Sequence, residues 1–191
     1  MLLERFIDDC VRANDSDDPQ PAVLEVLRRY VRQPAALLAA LGEPTQAGIA
    51  VLHRSDSLTI FNATWTPRMN LMPHDHGIWA NIGIYTGRED NILWRGGPHR
   101  LEAFAAQALF AGDAAALPRD VIHSVTNPLP RFTGGIHVYG GDFFATTRRQ
   151  WNPETLQEEP SDGATIQRIF ERENLRRTGE QRVDLSRERE G

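Results

Sequence analysis

Two histidines, His74 and His76, stand two residues apart in the run Pro73-His74-Asp75-His76-Gly77, and a third, His123, follows 47 positions after His76. On extended backbone, residues i and i+2 face the same side, so both imidazoles of the pair can turn towards one point while Asp75 turns away. Neutral imidazoles are good ligands for divalent transition metals. A His-x-His pair by itself fits a solvated turn equally well. His123, on a separate segment, is a candidate third ligand for the same ion. Such a site leaves both charges of the ion uncompensated and therefore favours an anionic partner. A second pair, His137 and Tyr139 in Gly135-Ile136-His137-Val138-Tyr139-Gly140, also shares one strand face. Facing an interior, it would put a phenol and an imidazole beside the same site. Facing a core, it would be two aromatic residues with satisfied polar tips.

The elements that must position these residues fall into three zones. Residues 1–48 read as helices: Leu2 to Arg12 with Leu2, Leu3, Phe6, Ile7 and Cys10 on one face, then a helix opened by Pro21, then Pro34 to Leu41 closed by Gly42. Residues 49–150 carry short β-branched and aromatic segments punctuated by Gly, Pro, Asn and Asp: Leu58–Trp65, Trp79–Tyr85, Ile92–Trp94, Leu101–Leu109, Ala114–Leu117, Val121–Thr126 and Phe132–Tyr139. That rhythm predicts an all-β sandwich or barrel. Leu101–Leu109 also suits a helix by composition and is read as a strand. In residues 151–191, Ile166, Ile169 and Phe170 form a small apolar stripe, which predicts a short helix from about Ala164 to Arg176 and a frayed terminus after it.

Bulk properties restrict the function. The chain has 191 residues, 40% hydrophobic and 8% aromatic, enough for one core. A net charge of −5 offers no basic surface for nucleic acid. No apolar run reaches the length of a membrane span, and the N-terminus is a poor signal peptide, so a cytoplasmic protein is expected. Cys10, the single cysteine, excludes an internal disulfide. The oligomeric state is not readable.

With these residues in view, a family resemblance emerges. The His-x-His stretch closing at Gly87, and the stretch Gly112, Pro118, His123, Asn127, resemble the two cupin motifs. Asp120 stands where the family usually has Gly. The acidic position of the first motif falls on Ala80, which leaves three histidines and no carboxylate. The resemblance implies a mainly β fold: a cupin double-stranded β-helix, or jelly-roll barrel, with N-terminal helices and a short C-terminal helix. Within the cupins, the His-Asp-His run, Trp79 three residues later and the His-Val-Tyr-Gly-Gly ending resemble the thiol dioxygenases, cysteine dioxygenase and 3-mercaptopropionate dioxygenase. The similarity spans roughly Leu58 to Arg149.

That resemblance implies Fe(II) held by His74, His76 and His123, with zinc, nickel or manganese as substitutes in a purified sample. It implies catalytic roles for Tyr139 and His137, and oxidation of a small anionic thiol by O2 to a sulfinic acid. A substrate carboxylate would take an arginine. Arg148, nine residues after Tyr139, matches the mercaptopropionate branch; Arg54 resembles the position used by cysteine dioxygenase; Arg68 is a third option. Two departures stand out: Gly135 replaces the serine of a Ser-His-Tyr relay, and Ala80 replaces the cysteine that some relatives cross-link to tyrosine. Another metal-dependent cupin enzyme (isomerase, decarboxylase or ring-cleaving dioxygenase) and a non-catalytic metal- or ligand-binding cupin stay open. His53 and His99, without a partner pattern, are read as surface or loop residues.

Overall fold

A computed structural model describes residues 1–97, 100–161 and 163–190, the last stretch without the side chains of 180–190. His99 lies outside the described residues.

Eleven strands are described: β1 (Gly48–Arg54), β2 (Thr59–Trp65), β3 (Asn70–His74), β4 (Ala80–Thr86), β5 (Arg88–Gly97), β6 (Arg100–Phe110), β7 (Ala114–Leu117), β8 (Ile122–Thr126), β9 (Thr133–Tyr139), β10 (Arg149–Trp151) and β11 (Glu158–Pro160). They form two antiparallel sheets, β1-β2-β9-β4-β7 and β11-β10-β3-β8-β5-β6. Taken from β2 to β9, consecutive strands run in the order first-eighth-third-sixth in one sheet and second-seventh-fourth-fifth in the other. This is the strand order of a jelly roll, and the architecture is the cupin double-stranded β-helix. β10, β11 and β1 extend the sheets at their edges. Leu101–Leu109 is indeed strand, paired along its length with β5.

Three helices, α1 (Leu2–Asn14), α2 (Pro19–Val31) and α3 (Pro34–Leu41), precede the barrel. Phe6, Leu27, Tyr30, Val31 and Leu37 pack with Ile60, Tyr85, Ile136 and Val138 from the outer face of the five-stranded sheet. Strands β2, β4 and β9 are therefore buried on both faces, which explains their almost unbroken apolar sequences. Gly83 in β4 is what lets α2 come so close: a Cβ there would lie 2.8 Å from Val31 Cγ1 and 2.9 Å from Leu27 Cγ. His53 lies on strand β1 and is half-buried, not in a loop.

The C-terminal helix differs from expectation. α4 runs Gly163–Glu190, 28 residues rather than about 13, because the Arg- and Glu-rich end consists of good helix formers that need no apolar face to stay helical. Its first half covers the barrel mouth. Phe170 is buried and stacks on Trp65 with centroids 5.5 Å apart. The Asn174 amide clasps the Ala47 backbone at both ends, accepting from its N–H at 2.8 Å and donating to its C=O at 2.9 Å.

Candidate metal centre and cavity

The three histidines meet inside the barrel. His74 ends β3 and pairs in register with His123 on β8; His76 follows in the irregular segment leading to Gly77. That segment turns at Gly77, φ +66°, where a Cβ would lie 2.7 Å from the Thr147 carbonyl oxygen. His76 is thus beyond the strand end, yet its ring centroid lies 5.2 Å from that of His74 and 4.8 Å from that of His123. One ligand nitrogen from each of the three lies within 4.8 Å of the others. His123 and His76 are almost fully buried and His74 is only 9% exposed.

Hydrogen bonds fix which nitrogens face the centre. His74 Nδ1 lies 2.9 Å from the Met72 carbonyl, so it carries the proton and leaves Nε2 bare. His123 Nδ1 lies 2.6 Å from Asn91 Oδ1, with the same consequence. Burial pushes the His74 pKa down to about 4 and holds His76 and His123 well below the ordinary imidazole range. All three rings are neutral at physiological pH, the state a divalent ion needs. Asp75 points outward, as its place between the two ligands requires, and accepts from the Arg149 backbone N–H at 2.8 Å and its Nε at 2.7 Å.

The histidines sit in the wall of a cavity of about 450 Å³, within the range that holds small-molecule ligands. Tyr139, His137, Phe143 and Arg148 line it near the histidines. Ile49 and Val51 of β1 and Ile166 and Phe170 of α4 line it towards the mouth. Tyr139 Oη lies 3.3 Å from His137 Nδ1, and burial keeps its pKa above the ordinary phenol value, so it is a protonated donor. Ala80 stands directly opposite Tyr139 in the β4–β9 register, the place that the cross-linking cysteine would need.

The candidate arginines separate cleanly. Arg148 lines the cavity with its guanidinium carbon 3.9 Å from the Phe143 ring centroid, and its Nε is buried without a hydrogen-bond partner. Arg54 does not line the cavity; it is exposed and donates through Nε (3.0 Å) and Nη2 (2.8 Å) to the two oxygens of Asp142. Arg68 is exposed and also outside the lining.

Two buried residues of β5 were not singled out in the sequence. Glu89, fully buried, accepts from Trp65 Nε1 at 2.9 Å and Asn91 Nδ2 at 3.1 Å, and its Oε2 lies 3.5 Å from His137 Nε2. Burial raises the Glu89 carboxyl, but the His137 imidazole and these donors outweigh it and hold it below its ordinary value. Asn91 joins Glu89 to His123.

No protein-family model matches the chain, and no curated protein sequence matches it. Similar solved structures include cupin and double-stranded β-helix proteins. A double-stranded β-helix protein from Klebsiella pneumoniae is 14% identical, over 59% of this chain and 87% of its own, with a TM-score of 0.47. An RmlC-like cupin from Methanocaldococcus jannaschii is 12% identical, over 53% and 86%, with a TM-score of 0.46. Oxalate decarboxylase from Bacillus subtilis is 16% identical, over 56% of this chain and 29% of its own, with a TM-score of 0.43. The fold assignment rests on the strand order above. Among the described residues, no helix is long and apolar enough to cross a membrane.

Proposed function

We propose that this protein is a metal-dependent cupin enzyme of the thiol dioxygenase type, using Fe(II) to oxidise a small anionic thiol to a sulfinic acid with O2. The observation that carries the reading is the convergence of three buried, neutral imidazoles on one point, in a cavity that also presents Tyr139 and Arg148. His74, His76 and His123 would hold the ion, and iron(II) bound there would supply the redox chemistry of thiol oxidation by O2.

The chain's own residues do the rest. Arg148, charged and without a carboxylate in ion-pair range among the described residues, receives the substrate carboxylate in a bidentate fork. Tyr139 turns its phenol oxygen to the reacting atoms, with its proton donated to His137 Nδ1, which fixes the direction of the hydroxyl. Phe61, Phe143 and Phe170 exclude water from the space between them.

One feature favours a second reading. A cavity of about 450 Å³ with mainly apolar walls is larger than a three-carbon thiol needs, which suits a bulkier acid and another metal-dependent cupin reaction, an isomerisation, decarboxylation or ring cleavage.

Loading the protein anaerobically with Fe(II) and following O2 uptake across a panel of thiols tests the first reading. The panel runs from cysteine and 3-mercaptopropionate to mercapto acids with longer apolar chains, with the sulfinate identified by mass. Uptake with at least one thiol, lost in His123→Ala and shifted to high KM in Arg148→Ala, is expected. Stoichiometric iron with no thiol-stimulated uptake overturns it and leaves the second.

A further inference from the structure

Fully buried carboxylates are rare unless paired or heavily hydrogen-bonded, and the polar side chains that meet Glu89 are those of Trp65, Asn91 and His137. One of its oxygens faces Asn91, whose own oxygen accepts from the ring of His123. The other faces Trp65 and the outer nitrogen of His137, whose inner nitrogen meets the Tyr139 hydroxyl. One carboxylate thus stands at the root of both branches, the metal-ligand branch and the phenol branch.

We propose that Glu89 is the positioning residue of this centre, fixing His123 through Asn91 and fixing the Tyr139 hydroxyl through His137. An ionised carboxylate only accepts, so every neighbour must turn a donor to it. Asn91 presents its NH2 to Glu89 and therefore its oxygen to His123, which places the proton of His123 on Nδ1 and its Nε2 lone pair towards the centre. His137 Nε2 is buried with no closed hydrogen bond and lies 3.5 Å from Glu89 Oε2; as Nε2–H it turns a donor to that carboxylate, which leaves Nδ1 bare to accept from the Tyr139 hydroxyl. The phenol oxygen then has its lone pairs free for the cavity.

Gly135 adds an independent geometric point. A Cβ built there would lie 3.5 Å from His137 Nε2 and 2.9 Å from Ile84 Cδ1. A serine at 135 would therefore reach for the nitrogen that Glu89 addresses here, and would crowd Ile84. The partner of His137 comes instead from β5, with a full charge where a hydroxyl would have none. Removing the outer partner of a metal-bound histidine typically costs roughly 10- to 100-fold in metal affinity, and Glu89 holds that partner of His123, Asn91, in place.

The proposal rests on the metal-site reading in one arm only. In the metal-free protein at pH 8, long-range proton–nitrogen NMR of the imidazole rings reports the tautomers directly. His123 is expected as Nδ1–H and His137 as Nε2–H. His137 found with its proton on Nδ1 and a bare Nε2 overturns the proposal without any variant. In Glu89→Gln, with one acceptor oxygen where there were two, His137 is expected to lose its fixed tautomer and the Co(II) dissociation constant to rise roughly 10- to 100-fold. Glu89→Asp, which keeps the charge, is expected to recover part of both. A folded Glu89→Gln with an unchanged His137 tautomer and unchanged Co(II) affinity also overturns the proposal. If the wild-type protein takes up no Co(II), the metal-site reading fails while the tautomers still decide the role of Glu89.

Discussion

His76 and His123 face each other Nε2 to Nε2 at 3.2 Å. Because His123 carries its proton on Nδ1, its Nε2 is the acceptor, and His76 must be the donor in the metal-free protein. An ion at this point requires the His76 proton to move to Nδ1, which is buried with no hydrogen-bond partner. Metal entry thus shifts a proton within one ring and expels none from the three imidazoles. Calorimetric titration with Mn(II) at pH 6.5 in two buffers of different ionisation enthalpy is expected to give the same heat. Exposed histidines would release about half a proton each at that pH.

Acid is expected to destabilise the metal-free barrel. His74, at about 4 in the fold against an ordinary value near 6.5, binds its proton more weakly folded than unfolded. Its contribution is therefore present above pH 6.5 and lost as pH falls towards 4, by about 3 kcal/mol for this one ring as an order of magnitude. His76 and His123, shifted the same way, deepen the loss. Chemical denaturation between pH 7.5 and 4.5 measures it, and saturating metal should flatten the curve by holding the rings neutral.

Gly83→Ala tests the seam between α2 and the barrel. The added methyl meets Val31 and Leu27 inside van der Waals contact, and overpacking of this kind typically destabilises by about 1–3 kcal/mol. At roughly 2–4 °C per kcal/mol for a chain of this size, a thermal melt should drop by several degrees. Metal affinity should stay unchanged, because the clash is on the outer face of the sheet.

Asn174→Ala tests the clasp of α4. It removes both hydrogen bonds to Ala47, worth about 0.5–1.5 kcal/mol each, without touching the core. Hydrogen exchange in the first half of α4 should accelerate by roughly 5- to 150-fold while the global melt changes little. Equal exchange in the variant would show that the clasp does not hold the helix, leaving that to Phe170, Ile166 and Ile169 on the core and to Arg176 on the Pro67 carbonyl.

Strands β2, β4 and β6 to β9 and the three histidines were legible because both depend on short-range signals, whereas β1, β3, β10 and β11 were not legible as strands and β5 was so only over Ile92–Trp94. Alternation and turn residues mark β2, β4, β7, β8 and β9 to within about one residue, and His-x-His is written in adjacent positions. Glu89 and Asn91 were not legible, although the signal exists. Arg88-Glu89-Asp90-Asn91 is polar at every position, so period-two alternation does not show in it. Only pairing reveals the faces: Arg88 and Asp90 form their own ion pair, with Nε to Oδ1 at 2.6 Å, while Glu89 and Asn91 are buried. The length of α4 was missed for the opposite reason. Its end has no apolar stripe for periodicity to find, and intrinsic propensity alone marks it as helix. Arg54 looked like a substrate ligand because sequence does not show a guanidinium already satisfied by Asp142, 88 positions away.

Asp75 and Arg149 tie the turn that carries two imidazoles to the start of β10. Arg148 is the residue just before that tether, so the backbone from which its guanidinium enters the cavity is held by a contact whose carboxylate faces away from it. Cutting that outer tie, at a carboxylate that faces away from the cavity, would slacken the spacing between the two ends of a bound molecule. It would register as poorer discrimination among acids of different length rather than as lost chemistry.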